Sequence, residues 1–150
     1  MTSRGSLADR YGPWALVAGG SEGIGAAFAR RLAADGVHLV LVARRAEPLE
    51  ATASELRAST GVEVRTLALD LTSTASLDRI RAETDALEVG LLVYNAGATH
   101  GVARFHDASV ERALALVALD CVGPVVLAHH FGALMRDRAR GGIVLLSSIS

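Results

Sequence analysis

The sequence predicts a doubly wound α/β domain built on a parallel sheet. Three observations carry this reading. Apolar runs alternate with amphipathic segments along the chain, the runs are apolar throughout, and a glycine-rich turn follows the first of them. Continuously apolar strands are expected where helices cover both faces of a parallel sheet, and a βαβαβαβαβ order belongs to such a fold.

Residues 14–19, a short apolar run stopped by glycines, read as the first strand. A helix follows over 23–35, with an apolar stripe of Ile24, Ala27, Phe28 and Leu32 edged by Arg30 and Arg31. Residues 37–43 form the second strand, and 48–58 a helix with Pro48 near its first turn. The third strand covers 62–69, and Thr72 or Ser73 caps a helix ending near Leu87. The fourth strand covers 91–94, one long helical segment 109–138, and the fifth strand 142–146. The five strands make a single domain, 1–150, whose sheet is expected to be incomplete on its C-terminal side.

The chain has 150 residues, 51% apolar and 21% charged, with 15 basic and 16 acidic side chains. A domain of this length buries roughly 70% of its unfolded surface and needs no disulfide or metal staple. The apolar content and a net charge of −1 exclude disorder and argue against a nucleic-acid partner. All 15 basic residues are arginine. With no lysine, the chain holds no lysine base, Schiff base or phosphate-loop lysine. The single cysteine, Cys121, fits a reducing compartment.

Arg4, Asp9 and Arg10 interrupt the first ten residues, so no signal peptide is expected. The most apolar stretch, 113–128, carries Asp120 in its middle and falls short of a bilayer span of about 20 residues. The expectation is a soluble cytoplasmic protein with no membrane partner.

The turn after the first strand reads Ala18-Gly19-Gly20-Ser21-Glu22-Gly23-Ile24-Gly25 and opens a helix. Glycines 19, 23 and 25 permit a tight turn, close approach of a pyrophosphate and close helix–strand contact. The helix N-terminus offers N–H groups and a positive dipole end to phosphates. In this βα context the string favours dinucleotide binding over a plain connecting turn, through Gly19, Ser21, Glu22, Gly23, Ile24 and Gly25. The second strand ends Ala43-Arg44-Arg45. An acid here would bind the ribose hydroxyls of NAD, whereas arginine accommodates the 2′-phosphate of NADP. With Ala43 at the acid's place, Arg44 and Arg45 favour NADP over NAD; the plainer alternative is a solvated arginine pair. Glu22 is an awkward neighbour for a further phosphate unless it faces solvent.

These residues, with those that follow, resemble the short-chain dehydrogenase/reductase family over essentially the whole chain from Tyr11. The family's Thr-Gly-x-x-x-Gly-x-Gly appears with Ala18 in place of threonine. Its adenine-contacting Asp after the third strand matches Asp70, followed by Leu71. Its Asn-Asn-Ala-Gly appears as Tyr94-Asn95-Ala96-Gly97, and its Ser-Ser ending of the fifth strand as Ser147-Ser148. The fold implied is a Rossmann-type sheet. The function implied is hydride transfer between NADP(H) and a small-molecule carbonyl or alcohol, by a Ser, Tyr, Lys and Asn tetrad.

In that tetrad Ser148 matches the catalytic serine, and Asp120 stands at the asparagine position. The Tyr-x-x-x-Lys segment would begin beyond Ser150, so the chain is expected to be inactive alone. Full-length relatives imply a homo-oligomer built on the helix that carries Asp120. Pro124 has no N–H, so within a helix the Asp120 carbonyl loses its donor and can hold a water at a kink. The alternative is that Gly123-Pro124 merely bends the helix while Asp120 caps or is solvated.

His100, His106 and Asp107 read as solvated loop residues rather than metal ligands, and no metal site is expected. His129 and His130 read as structural or surface groups, Cys121 as a small core residue, and Trp14 as packing. A second reading of the whole chain is an inactive nucleotide-binding or partner-binding module of the same fold. A methyltransferase, the third, is disfavoured by Ala43-Arg44 and by Asn95-Ala96-Gly97.

Overall fold

A computed structural model describes residues 5–98, 101 and 104–147. Five strands form one wholly parallel sheet in the order β3-β2-β1-β4-β5. They are β1 (Trp14–Ala18), β2 (His38–Ala43), β3 (Val64–Ala68), β4 (Val89–Tyr94) and β5 (Gly142–Leu145). The helices are α1 (Leu7–Tyr11), α2 (Gly23–Ala34), α3 (Ala46–Thr60), α4 (Thr74–Thr84), α5 (Val110–Val117) and α6 (Gly123–Asp137). Helix α1, with a Ser6–Asp9 capping box, is an element the sequence pattern did not reveal. Helix α3 starts two residues earlier than expected, and α4 ends at Thr84 rather than near Leu87.

Both faces of the sheet are covered, so β1 and β4 are buried at every position. On one face Val17, Leu41 and Val93 meet Leu32 of α2 with Leu49 and Leu56 of α3. On the other, Leu16, Val40 and Leu92 meet Leu77 and Ile80 of α4 with Leu127 and Phe131 of α6. Each such fully buried side chain contributes roughly 1.5–3 kcal/mol relative to exposure. The edge strands are less covered, and Ile143 and Leu145 of β5 face outward.

The buried face of α2 is not the predicted stripe. Gly25, Ala26, Ala29, Leu32 and Ala33 face the sheet, while Ile24 is 60% exposed. Small residues win this face because the helix lies very close to the strands. A Cβ at Gly25 would overlap the Gly19 carbonyl oxygen.

The segment expected as one helix over 109–138 is interrupted. Residues 118–122 form a π-helical turn between α5 and α6, and the Gly123 N–H reaches back five residues to the Ala118 carbonyl. Val110–Asp137 runs as one helical stretch of 28 residues, by length and composition long and apolar enough to cross a membrane. That corrects the expectation that its apolar part is too short. The fold buries its Leu127, Phe131 and Met135 in the core. Its N-terminal half buries nothing: Val110, Leu114 and Val117 are exposed on α5. Cys121 is exposed on the π turn, not in the core as expected, since that turn buries none of its side chains.

Candidate functional site

Strand β1 sits between β2 and β4, so chain order reverses at β1 and a crevice opens at the carboxyl ends of the strands. A cleft of about 610 Å³ lies there. Its floor is Gly19 and Ser21 from the turn after β1, with Asn95, Ala96 and Gly97 after β4. Glu22, Arg44 and Arg45 line the side towards β2, and Asp70 and Leu71 the side towards β3. Ala43, Leu69, Thr72 and Leu119 of the π turn complete the lining, and Thr72 and Leu119 were not expected at the site.

The turn after β1 and the turn after β4 hold each other. The Asn95 side chain donates to the Gly19 carbonyl at 3.2 Å, and the Asn95 N–H donates to the Ala18 carbonyl at 2.9 Å. Gly19 has φ +81°, and a Cβ there would crowd the Ala96 backbone. The hydroxyl of Thr52, buried on α3, donates to the Ser21 carbonyl at 2.9 Å. The only sequence signal for that brace was a polar residue within the Leu49, Ala53, Leu56 stripe of α3.

Gly23 and Ile24 are exposed at the first turn of α2 and lie outside the cleft lining. Gly23 has φ +55° and nothing within 4 Å of a Cβ position, so the turn leaves open space above the helix start. Helix α2 has no side-chain cap at Glu22, and its first N–H groups remain available.

Charge at the mouth is sorted. Arg45 donates to the Glu22 carboxylate at 2.6 Å. The exposed Arg44 forms no salt bridge among the described residues. The Asp70 carboxylate accepts from the Thr72 N–H at 3.0 Å and from its hydroxyl at 2.8 Å. Those two bonds, the backbone one foremost, hold the Asp70 carboxyl below the usual range, with a smaller contribution from Arg44.

Asp120 lies on the π turn beside Leu119, and its Oδ1 accepts from the Ala98 N–H at 3.3 Å. Tyr94 is buried at the end of β4, and its hydroxyl donates to the Leu119 carbonyl at 2.7 Å. Burial, with the Asp120 charge nearby, pushes the Tyr94 phenol far above its ordinary range, so it stays protonated. Ser148 and His100 lie outside the described residues. His130 is half-buried, and desolvation lowers its pKa. No group of three potential metal ligands occurs among the described residues.

The cleft therefore presents a close-packed glycine floor, an open helix start, two engaged carboxylates in Glu22 and Asp70, and Arg44, which is outside any salt bridge among the described residues. These residues fit a nucleotide bearing phosphates: Gly23 leaves open space at the start of α2, and Arg44 lines the cleft.

The fold and this cleft define a Rossmann-type doubly wound domain. The chain belongs to the short chain dehydrogenase family, which its residues 13–150 match. It is 30% identical over 145 residues to the 7beta-hydroxysteroid dehydrogenase of Collinsella aerofaciens, covering 97% of this chain and 55% of that protein. It is 33% identical to the very-long-chain 3-oxoacyl-CoA reductase of Podospora anserina, covering 94% of this chain and 43% of that protein. Among solved structures, a 7beta-hydroxysteroid dehydrogenase superposes with a TM-score of 0.92 at 30% identity, over 96% of this chain and 55% of that one. A short-chain dehydrogenase from Sphingobium yanoikuyae in complex with NADPH gives 0.86 at 34% identity, over 91% and 54%. The chain thus spans about half the length of the relatives it matches.

Proposed function

We propose that this chain is the cofactor-binding half of an NADP(H)-dependent oxidoreductase acting on a small-molecule carbonyl or alcohol. The observation that carries the reading is the charge arrangement beside β2. Ala43 stands where an NAD-selecting acid belongs, Arg45 is engaged by Glu22, and Arg44 is left for a 2′-phosphate. When bound, the nicotinamide group supplies the hydride chemistry. The chain's own residues bind and orient it: Gly19 and Gly25 allow close approach, Asn95 fixes the floor, and Asp70 lies where the adenosine half is expected.

The acid–base half of the chemistry is assigned outside these residues. There is no lysine, and the Tyr94 hydroxyl is committed to the Leu119 carbonyl. Ser148 keeps its assignment as the substrate-binding serine by its match to the family. The 150-residue chain alone is expected to show no NADPH-dependent carbonyl reduction; measurable turnover would refute this division of roles. Complete absence of nucleotide binding would favour the partner-binding module instead.

Two further assignments accompany this reading. The exposed apolar side chains of Val110, Leu114 and Val117 on α5, with Val125 on α6, are assigned to a homo-oligomer interface. One free, exposed cysteine suits a reducing compartment, and we place the protein in the cytoplasm without a membrane or nucleic-acid partner. Titration of the purified chain with NADPH and NADH, followed by nicotinamide fluorescence, tests the central claim: NADPH is expected to bind more tightly.

A further inference from the structure

The π turn at 118–122 leaves two carbonyls to account for. In an α-helix the Leu119 carbonyl would take the Gly123 N–H, but that N–H goes to Ala118 instead. The Asp120 carbonyl would take the N–H of residue 124, which is Pro124 and has none. Leu119 is compensated from another element: the Tyr94 hydroxyl, 25 residues away in sequence, donates to its carbonyl at 2.7 Å. Gly123 makes room for this, since a Cβ there would overlap the phenol oxygen.

The same turn is tied to β4 a second time. Ala98 donates its N–H to Asp120 Oδ1, over a longer 3.3 Å. Residues 94 and 98 flank the Asn95–Gly97 stretch that lines the cleft, and residues 119 and 120 are consecutive on the π turn. Two walls of one cleft are therefore pinned together at both ends of the β4 turn.

We propose that Tyr94 is a positioning residue for the nucleotide site, holding the π turn so that Leu119 lines the cleft together with Asp70 and Ala96. The inference rests on the cofactor reading above. The physical consequence of losing the hydroxyl follows from helix geometry. Without a donor, the Leu119 carbonyl recovers one by taking back the Gly123 N–H, which turns the π segment into α-helix. Removing that one-residue excess rotates everything on its N-terminal side by about 100° relative to α6. Leu119 then leaves the cleft wall, Asp120 loses Ala98, and the apolar face of α5 points elsewhere. The phenol suits this task because it remains a donor at any physiological pH.

The wall is shared by both dinucleotides, so its loss is distinguishable from loss of phosphate recognition. Tyr94→Phe removes one oxygen and no volume from the core. It should weaken NADPH and NADH by the same factor, about tenfold, because the Leu119 wall that both dinucleotides share is displaced. It should also shift the ¹³C resonance of the labelled Leu119 carbonyl and change the protection of the Gly123 amide, with β1–β3 amides unchanged. Gly123→Ala pushes the hydroxyl off from the other side and should reproduce both effects, which decides the matter if the Phe variant fails to fold. Affinities for both nucleotides within twofold of wild type, despite a shifted Leu119 signal, would overturn the proposal. Absence of binding to the wild type would remove the cofactor reading, and this inference with it.

Discussion

The Arg45 guanidinium donates to the Glu22 carboxylate at 2.6 Å, across the mouth of the cleft between the glycine turn and the end of β2. The pair sets a cation against the acid that lies beside the proposed phosphate site. Both side chains are more than 60% exposed, so the pair contributes about 0–1 kcal/mol to stability. Its consequence lies in local charge: Glu22 is neutralised by Arg45, and Arg44 remains available.

Arg44→Asp should therefore weaken NADPH binding by roughly ten- to a hundredfold, the size of a charge-assisted phosphate contact, while NADH changes little. Arg45→Ala should weaken NADPH as well, by uncovering Glu22, and Glu22→Gln in that background should restore affinity. A double-mutant cycle read by fluorescence titration gives the coupling. Equal losses for NADPH and NADH on changing Arg44 would mean that it is merely solvated.

Gly25→Ala should destabilise the fold. The added methyl group would overlap the Gly19 carbonyl and crowd the Asn95 amide. Overpacking of this kind costs about 1–3 kcal/mol or more. Urea unfolding measures the loss, and nucleotide affinity should fall with it because α2 must back away from the turn. Gly36→Ala, where nothing lies near a Cβ but φ is +80°, serves as a strain-only comparison away from the cleft.

Acidification should act through Asp70. Its folded pKa is depressed, so the fold favours the carboxylate, chiefly through the Thr72 N–H. That contribution is complete above the unfolded value near 3.8 and fades as pH falls through the lower folded value. Asp70→Asn should then be less stable than wild type near neutrality, with the difference closing in strong acid. Denaturation curves across this pH range check it; a gap that stays constant would assign the effect to lost packing.

Leu114→Glu combined with Val125→Glu should leave folding of the domain intact, since both positions face outward. The pair should shift the proposed homo-oligomer towards monomer by sedimentation velocity. An unchanged oligomer would place its interface on another surface.

The local pattern of this chain is legible in its sequence. A glycine turn after an apolar run, the strand–helix alternation and the Arg44, Asp70 and Asn95 positions follow from short stretches whose neighbours in sequence are also neighbours in space. The cleft brings those residues to the same strand ends, because each sits immediately after a parallel strand.

What only the tertiary structure decided depends on distant partners. The buried face of α2 is set by how closely Gly25 approaches Gly19, not by the largest apolar residues of the helix. Pro124 marked the long helix for disruption, but a missing N–H does not say where the freed carbonyls find donors. Tyr94 supplies one, from β4, to the carbonyl of Leu119, which lines the cleft. The sequence determines backbone preferences over a few residues, whereas a hydrogen bond spanning 25 residues exists only after the sheet has placed both partners.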